Sequence, residues 1–241
     1  LVHTGQHFDK NMSEVFFEQF KLRQPDYIMD IKGQSPASQI GAIIIELEKI
    51  ILIEKPDLVI VVGDVNSTMA ASIAANKCGV KVAHLESGLR SFDLDMPEEI
   101  NRLVTDKIAD IFFVTEQSGY NHLVHEGTEK SKIHFVGNTM IDTLVAFEPE
   151  IQQSDILSRI GIESKQFVLM TMHRPSNVDS KERLEILLDI IDHICEKHFL
   201  VWPIHPRTLN NLKKFDLYQR FEANKKIITT EPLDYFAFQK L

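Results

Sequence analysis

The segment HLESGLRS, residues 84–91, puts an imidazole (His84), a carboxylate (Glu86) and a guanidinium (Arg90) directly after the apolar run VKVA. PEEINR follows at 97–102 and adds two adjacent carboxylates, Glu98 and Glu99. The same juxtaposition recurs along the chain. GD and NST after LVIVV put Asp64 beyond an apolar run, HRPSN after FVLMTM puts His173 and Arg174 there, and HP after LVWPI puts His205 there. Carboxylates and imidazoles gathered in this way are the groups that give and take protons at a reacting centre. Each also has a structural reading. Asp64 alone reads as the cap of the helix after it, and His84 as a hydrogen-bonded strand-end residue. Glu99 reads as a first-turn carboxylate facing a helix dipole. GNT at 137–139 reads as a turn and a helix cap, and His205-Pro206 alone carries nothing.

The elements that must position these groups alternate regularly. In SPASQIGAIIIELEKIILIEK, Ile40, Ile43, Ile44, Leu47, Ile50 and Ile51 recur at helical spacing. Ser35 caps that helix, Pro36 suits its first turn and Pro56 ends it. DLVIVVG is a continuous apolar run, as expected of a strand buried on both faces. A helix over NSTMAASIAANKCG ends at Gly79. VKVAHL, IFFVT and IHFVG are further strands, and EEINRLVTDKIAD is a helix. Residues 148–166 hold few apolar runs and read as an interdomain connection. The pattern then restarts with FVLMTMHR, KERLEILLDIIDHICEK, HFLVWPIHP, a weaker strand KKIITTEP and a helix begun at DYFAFQKL. Strand and helix in alternation mean an α/β fold of doubly wound parallel sheets, here in two domains. Ligands bind such sheets beyond the carboxyl ends of the strands, where the polar clusters fall.

Composition narrows the function classes. The 241 residues carry a net charge of −9, and no basic stripe offers itself to nucleic acid. No apolar run is long enough to cross a bilayer. Cys78 and Cys195 lie far apart in apolar-patterned segments, which suits core packing in a reducing compartment. The chain opens in LVHTG, the tail of a strand, which reads as a fragment.

TGQHFDKNM, KPDLVIVVGDVNST, HLESGLRSFDLDMPEEINRLVTD, VGNTMIDTL, TMHRPSN, IHP and EPLDYFAF together, in this order, resemble the non-hydrolysing UDP-N-acetylglucosamine 2-epimerases. The resemblance covers nearly the whole chain. It implies two Rossmann-like domains around a central cleft, the glycosyltransferase-B architecture. Residues 1–148 would form the first domain, without its first strand. Residues 149–241 would form part of the second, UDP-binding domain. Missing the first strand, the phosphate-side loop and the rest of the second domain, the chain alone is expected to be aggregation-prone and inactive. Ser87 stands where the family usually has alanine, and Ser176 where glutamate often follows the HR pair.

The family's activity, carried over, is inversion of C2 in a UDP-amino sugar. UDP leaves across C1–C2 to give a 2-acetamidoglucal and returns with a proton on the other face, which needs acid–base groups on both faces of the sugar. Asp64, Glu86 and Glu98 match the family's catalytic acids and His173 its catalytic histidine. Asp64, Glu86, His173, Arg174, Leu233 and Phe238 match substrate-binding positions. Gln6, Gln34, Glu98, Arg174 and His205 match a second UDP-sugar site that acts as an activator in some bacterial members, from which Asp9 departs. The resemblance implies no cofactor and no metal, a cytoplasmic homodimer when full length, and a role in supplying amino sugars for surface polysaccharide. Neighbouring classes stay open: an epimerase of a related UDP-amino sugar, a hydrolysing 2-epimerase, a glycosyltransferase of the same architecture, or a binding module without catalysis. A glycosyltransferase would need an acceptor but not three carboxylates around C2.

Overall fold

The computed structural model describes residues 1–5, 14–31, 35–162, 166–172 and 174–241. The chain divides into two compact units, Leu1–Thr143 and Leu144–Leu241. Among the described residues no helix is long and apolar enough to cross a membrane.

The first unit begins with β1 (Val2–His3), α1 (Glu14–Gln19) and β2 (Tyr27–Ile28). Next come α2 (Pro36–Glu54), β3 (Leu58–Val62), α3 (Asn66–Lys77), β4 (Lys81–Leu85) and α4 (Pro97–Ile108). β5 (Ile111–Val114), α5 (Gln117–His125) and β6 (Ile133–Phe135) complete it, up to α6 (Thr139–Ala146), within which the division falls. β1 and β2 pair in parallel, and β3, β4, β5 and β6 form a parallel sheet in that order. The start of α2 follows the expected chemistry. The Ser35 side chain accepts from the Ser38 amide, Pro36 opens the first turn, and Lys55 ends the helix in the left-handed region just before Pro56.

The expectation that the DLVIVVG strand is buried on both faces fails. Val61 is 6% exposed, in a core with Ile43, Leu47 and Ile51 of α2 and Ala70 and Ala74 of α3. Ile60 and Val62 are 62% and 54% exposed. Successive strand side chains point to opposite faces, and only the face toward α2 and α3 is covered among the described residues. A cavity of about 890 Å³ is lined by Val2 and His3 of β1, Leu58–Val62 of β3, and Leu47 and Ile51 of α2.

The second unit holds α7 (Glu148–Gln153), α8 (Ile156–Arg159), β7 (Phe167–Leu169), α9 (Pro175–Val178), α10 (Lys181–Lys197) and β8 (Phe199–Pro203). Then follow α11 (Pro206–Lys214), α12 (Tyr218–Ala223), β9 (Ile227–Thr230) and α13 (Tyr235–Lys240). β7, β8 and β9 form a parallel sheet in chain order. Its core joins Leu200 and Trp202 of β8 to Leu184, Leu188 and Ile191 of α10 and Leu212 of α11. Residues 148–166 are not the bare connection expected. Residues 148–162 form α7 and α8, which pack on α13, and they bury Ile151, Ile156 and Ile162 at 4%, 0% and 1% exposure. Three isolated isoleucines hold them, a pattern too sparse to show periodicity. Cys78 and Cys195 are free thiols, and burial pushes the Cys195 thiol up.

Candidate active site

β3 and β4 lie in register, Val61 opposite His84 and Val62 opposite Leu85, so their carboxyl ends emerge side by side. Gly63 follows at φ +68° and its amide donates to the Leu85 carbonyl at 2.9 Å. The turn delivers Asp64. Its carboxylate does not cap α3: the capping position is Val65, with no side-chain cap. It pairs instead with Arg102 of α4, Nη2 to Oδ2 at 2.8 Å. The same arginine donates through Nε to the Glu86 carbonyl at 3.3 Å. Asn101 beside it donates to the Asp64 carbonyl at 2.9 Å and to Asn66 Oδ1 at 3.1 Å.

Glu86 stands at φ +66°, a region that costs a side-chain-bearing residue about 1–2 kcal/mol. Strain of this kind persists only where the surroundings over-determine it, and it clusters at functional sites. The Glu86 carboxylate faces the Gly63 turn: a Cβ on Gly63 would lie 3.4 Å from its Oε2. Asp64 and Glu86 are thus drawn to one corner by a single nearly buried guanidinium. Glu98 is exposed in the first turn of α4, four residues before Arg102 and therefore on the same side of that helix.

α4 explains why the corner is rigid. Its buried residues are Glu99, Asn101, Arg102, Thr105 and Asp106, all polar, while Ile100 is 41% exposed. A polar face can be buried only where each group finds a partner. Glu99, 3% exposed, accepts from the Ser91 amide at 2.8 Å, the Ser91 hydroxyl at 2.9 Å and the Phe92 amide at 3.3 Å. The first-turn reading of Glu99 holds, with the added task of anchoring the 91–92 turn. Burial alone would raise its carboxyl, but these donors and Arg90 leave it below the ordinary value of roughly 4.3. The stabilisation Glu99 provides is therefore complete above that ordinary value and is lost as pH falls through the lower folded value. Glu99→Gln lowers stability by about 1–3 kcal/mol near neutral pH. The gap in melting temperature between variant and parent narrows as pH drops below about 4.3, whereas a gap independent of pH would refute this assignment.

Behind the corner, His84 is fully buried. Its Nδ1 lies 2.7 Å from Asp106 Oδ1 and its Nε2 lies 2.8 Å from the Gly63 carbonyl oxygen. Asp106 Oδ2 accepts from the Gly88 amide at 3.0 Å and from Arg90 Nη1 at 2.7 Å. Arg90 is bidentate to Glu126, both bonds at 2.8 Å. Ser87 is fully buried, with its hydroxyl donating to the Phe113 carbonyl at 3.1 Å, so the oxygen it adds over an alanine is satisfied.

In the second unit, Arg174 is exposed just before α9. His205 caps α11, its Nδ1 accepting from the Arg207 amide at 3.1 Å. Leu233 lines a depression of about 320 Å³ with Arg159, Ile160, Thr230 and Glu231, and Phe238 is half-buried on α13. His173, Gln6, Gln34 and Asp9 lie outside the described residues. GNT is a turn and cap as expected: Gly137 is at φ +78° and Asn138 Oδ1 accepts from the Met140 amide at 2.9 Å.

Sequence reasoning did not single out Arg102, Asn101, Asp106 or Glu126. The first three carried a signal: Asn101, Arg102, Thr105 and Asp106 recur at helical spacing on a face that the fold must bury. Glu126 carried none.

The family profile for UDP-N-acetylglucosamine 2-epimerase matches residues 1–241. A UDP-N-acetylglucosamine 2-epimerase of Methanococcus maripaludis is 41% identical over 244 residues, covering 99% of this chain and 66% of the relative. A UDP-2,3-diacetamido-2,3-dideoxy-D-glucuronate 2-epimerase of Pseudomonas aeruginosa is 42% identical over 221 residues, covering 90% of this chain and 61% of its own. The crystal structure of the Methanocaldococcus jannaschii UDP-GlcNAc 2-epimerase in complex with UDP-GlcNAc and UDP superposes with a TM-score of 0.84 at 40% identity. That alignment takes in 98% of this chain and 66% of the other. The chain thus spans about two thirds of the length of these relatives. A match running from the first residue to the last, on the motifs that build the Asp64–Glu86 corner, makes this chain a member of the UDP-N-acetylglucosamine 2-epimerase family.

Proposed function

We infer that the full-length protein interconverts UDP-N-acetylglucosamine and UDP-N-acetylmannosamine without net hydrolysis. The C2 proton leaves to a carboxylate as the C1–O bond to UDP breaks. The same atoms then recombine with the proton delivered to the opposite face. The observation that carries this reading is the corner where Asp64 and Glu86 meet around Arg102, with Glu98 along the same helix. Asp64, Glu86 and Glu98 supply the acid–base groups, with His173, and Arg174, Leu233 and Phe238 serve the UDP moiety. In this reading the protein works without cofactor or metal as a cytoplasmic homodimer. The activator role of Gln6, Gln34, Glu98, Arg174 and His205 belongs to the same reading.

Incubation of the full-length protein with UDP-N-acetylglucosamine in D₂O yields UDP-N-acetylmannosamine carrying deuterium at C2, read by NMR, with no added NAD or metal. No C2 exchange with any of several UDP-amino sugars overturns the reading. Stoichiometric release of free N-acetylmannosamine places the protein in the hydrolysing class instead. The 42% identity to the Pseudomonas aeruginosa relative favours a second reading, in which the sugar is a UDP-2,3-diacetamido-uronate. The two substrates run in parallel decide it through kcat/KM.

A further inference from the structure

Two facts about His84 go beyond a buried histidine that is merely satisfied. The Gly63 oxygen is a carbonyl and can only accept, so Nε2 at 2.8 Å carries a proton. Asp106 holds the other end of the ring, its Oδ1 2.7 Å from Nδ1, and is itself held through Oδ2 by Arg90 and the Gly88 amide. The ring is thus fixed at both nitrogens, between Asp106 of α4 and the Gly63 turn. Facing the ring are Asp106 from α4 and, through it, Arg90 and Glu126. Beyond the Gly63 turn stand Asp64, Glu86 and Arg102, and His122 of α5 lies 2.9 Å from the Gly88 carbonyl oxygen.

We propose that His84 is a positioning residue for Asp64: its Nε2 proton, with the ring held in place by Asp106, grips the Gly63 carbonyl from behind and so fixes the turn that aims the Asp64 carboxylate. The role rests on the epimerase reading for its kinetic consequence, but not for its effect on the turn. The turn needs such a grip. Gly63 is in the left-handed region and the next residue carries the carboxylate, so rotation of the 63–64 peptide would swing Asp64 away from Arg102. Misplacement of a reacting group by about 1 Å is enough to cost roughly 10²-fold in rate.

In ¹⁵N-labelled full-length protein, His84→Leu, which removes the Nε2 donor, moves the Gly63 and Asp64 amide resonances and lowers kcat by roughly 10–100-fold with KM within about threefold. In an Asp64→Asn background the same change costs less than about threefold, because the group it positions is already gone. Equal losses in both backgrounds, or a folded variant with unchanged kcat and unchanged amides, overturn the proposal. If His84→Leu does not fold, Asp106→Asn serves, expected to move the same amides and lower kcat similarly. A wild-type enzyme with no C2 exchange would sink the epimerase reading alone, since the amide shifts still decide the role of His84.

Discussion

Asp64→Asn in the full-length protein lowers turnover by roughly 10²–10⁴-fold, the usual contribution of a positioned acid–base group. The geometry makes this a clean substitution. The asparagine oxygen still accepts from Arg102 at the same distance, and Asn101 still holds the backbone carbonyl of residue 64. What is removed is the charge and the capacity to carry a proton. Arg102 is then a mostly buried cation facing a neutral amide, so a fall in melting temperature of several degrees accompanies the loss of activity. Glu98→Gln is the companion measurement. Glu98 is exposed, so its loss of turnover should come with an unchanged melt. Near-normal turnover in Asp64→Asn would reduce that carboxylate to a structural partner of Arg102. Near-normal turnover in Glu98→Gln would leave it a solvated first-turn residue.

Much of the first unit was legible because its signals are local. The Ser35–Pro36 start of α2, the Pro56 stop and the apolar strands each follow from side-chain chemistry within a few residues. Asp64 shows where locality ends. An acidic residue just before a helix reads as a cap by spacing alone, and only the fold brings Arg102, thirty-eight positions on, close enough to compete for it. α4 shows a second limit. Its apolar residues Ile100, Leu103, Val104 and Ile108 recur at helical spacing, yet none of them is fully buried; the buried face is polar, and a polar face signals burial only once its partners are known. β2 and the helices over 206–223 were not assigned from sequence at all. β2 is two residues long, and α11 and α12 run for only nine and six residues, too short for a periodicity that stands out. In the second unit, Arg174 and His205 stood out only by their place at strand ends, and Leu233 and Phe238 were readable only through resemblance, since a half-buried phenylalanine has no chemistry of its own to announce.

Gly88→Ala is expected to cost the fold far more than Gly127→Ala. Gly88 sits at φ +80°, where a Cβ costs about 1–2 kcal/mol before any contact is counted. That Cβ would stand 2.3 Å from the Gly119 carbonyl oxygen and 2.8 Å from its carbon, both backbone atoms of α5. No rotamer change relieves such an overlap, so the 87–90 loop or the helix must move. Movement breaks the Gly88 amide bond to Asp106 and the His122 bond to the Gly88 carbonyl, leaving buried groups unpaired at about 1–3 kcal/mol each. Together these come to about 3–8 kcal/mol before the collision itself is counted, against a total stability of roughly 5–15 kcal/mol for a typical domain. Gly127→Ala separates strain from collision. Gly127 has φ +88° but nothing within 4 Å of the added atom, so that variant should lose only the backbone cost. Thermal melts of the two variants in the full-length protein should differ by many degrees, with Gly88→Ala failing to accumulate as soluble protein if the loss is complete. Comparable melts would mean that the β4 loop and α5 can separate freely. The close approach would then not be what holds Glu86 in its left-handed conformation beside the Gly63 turn.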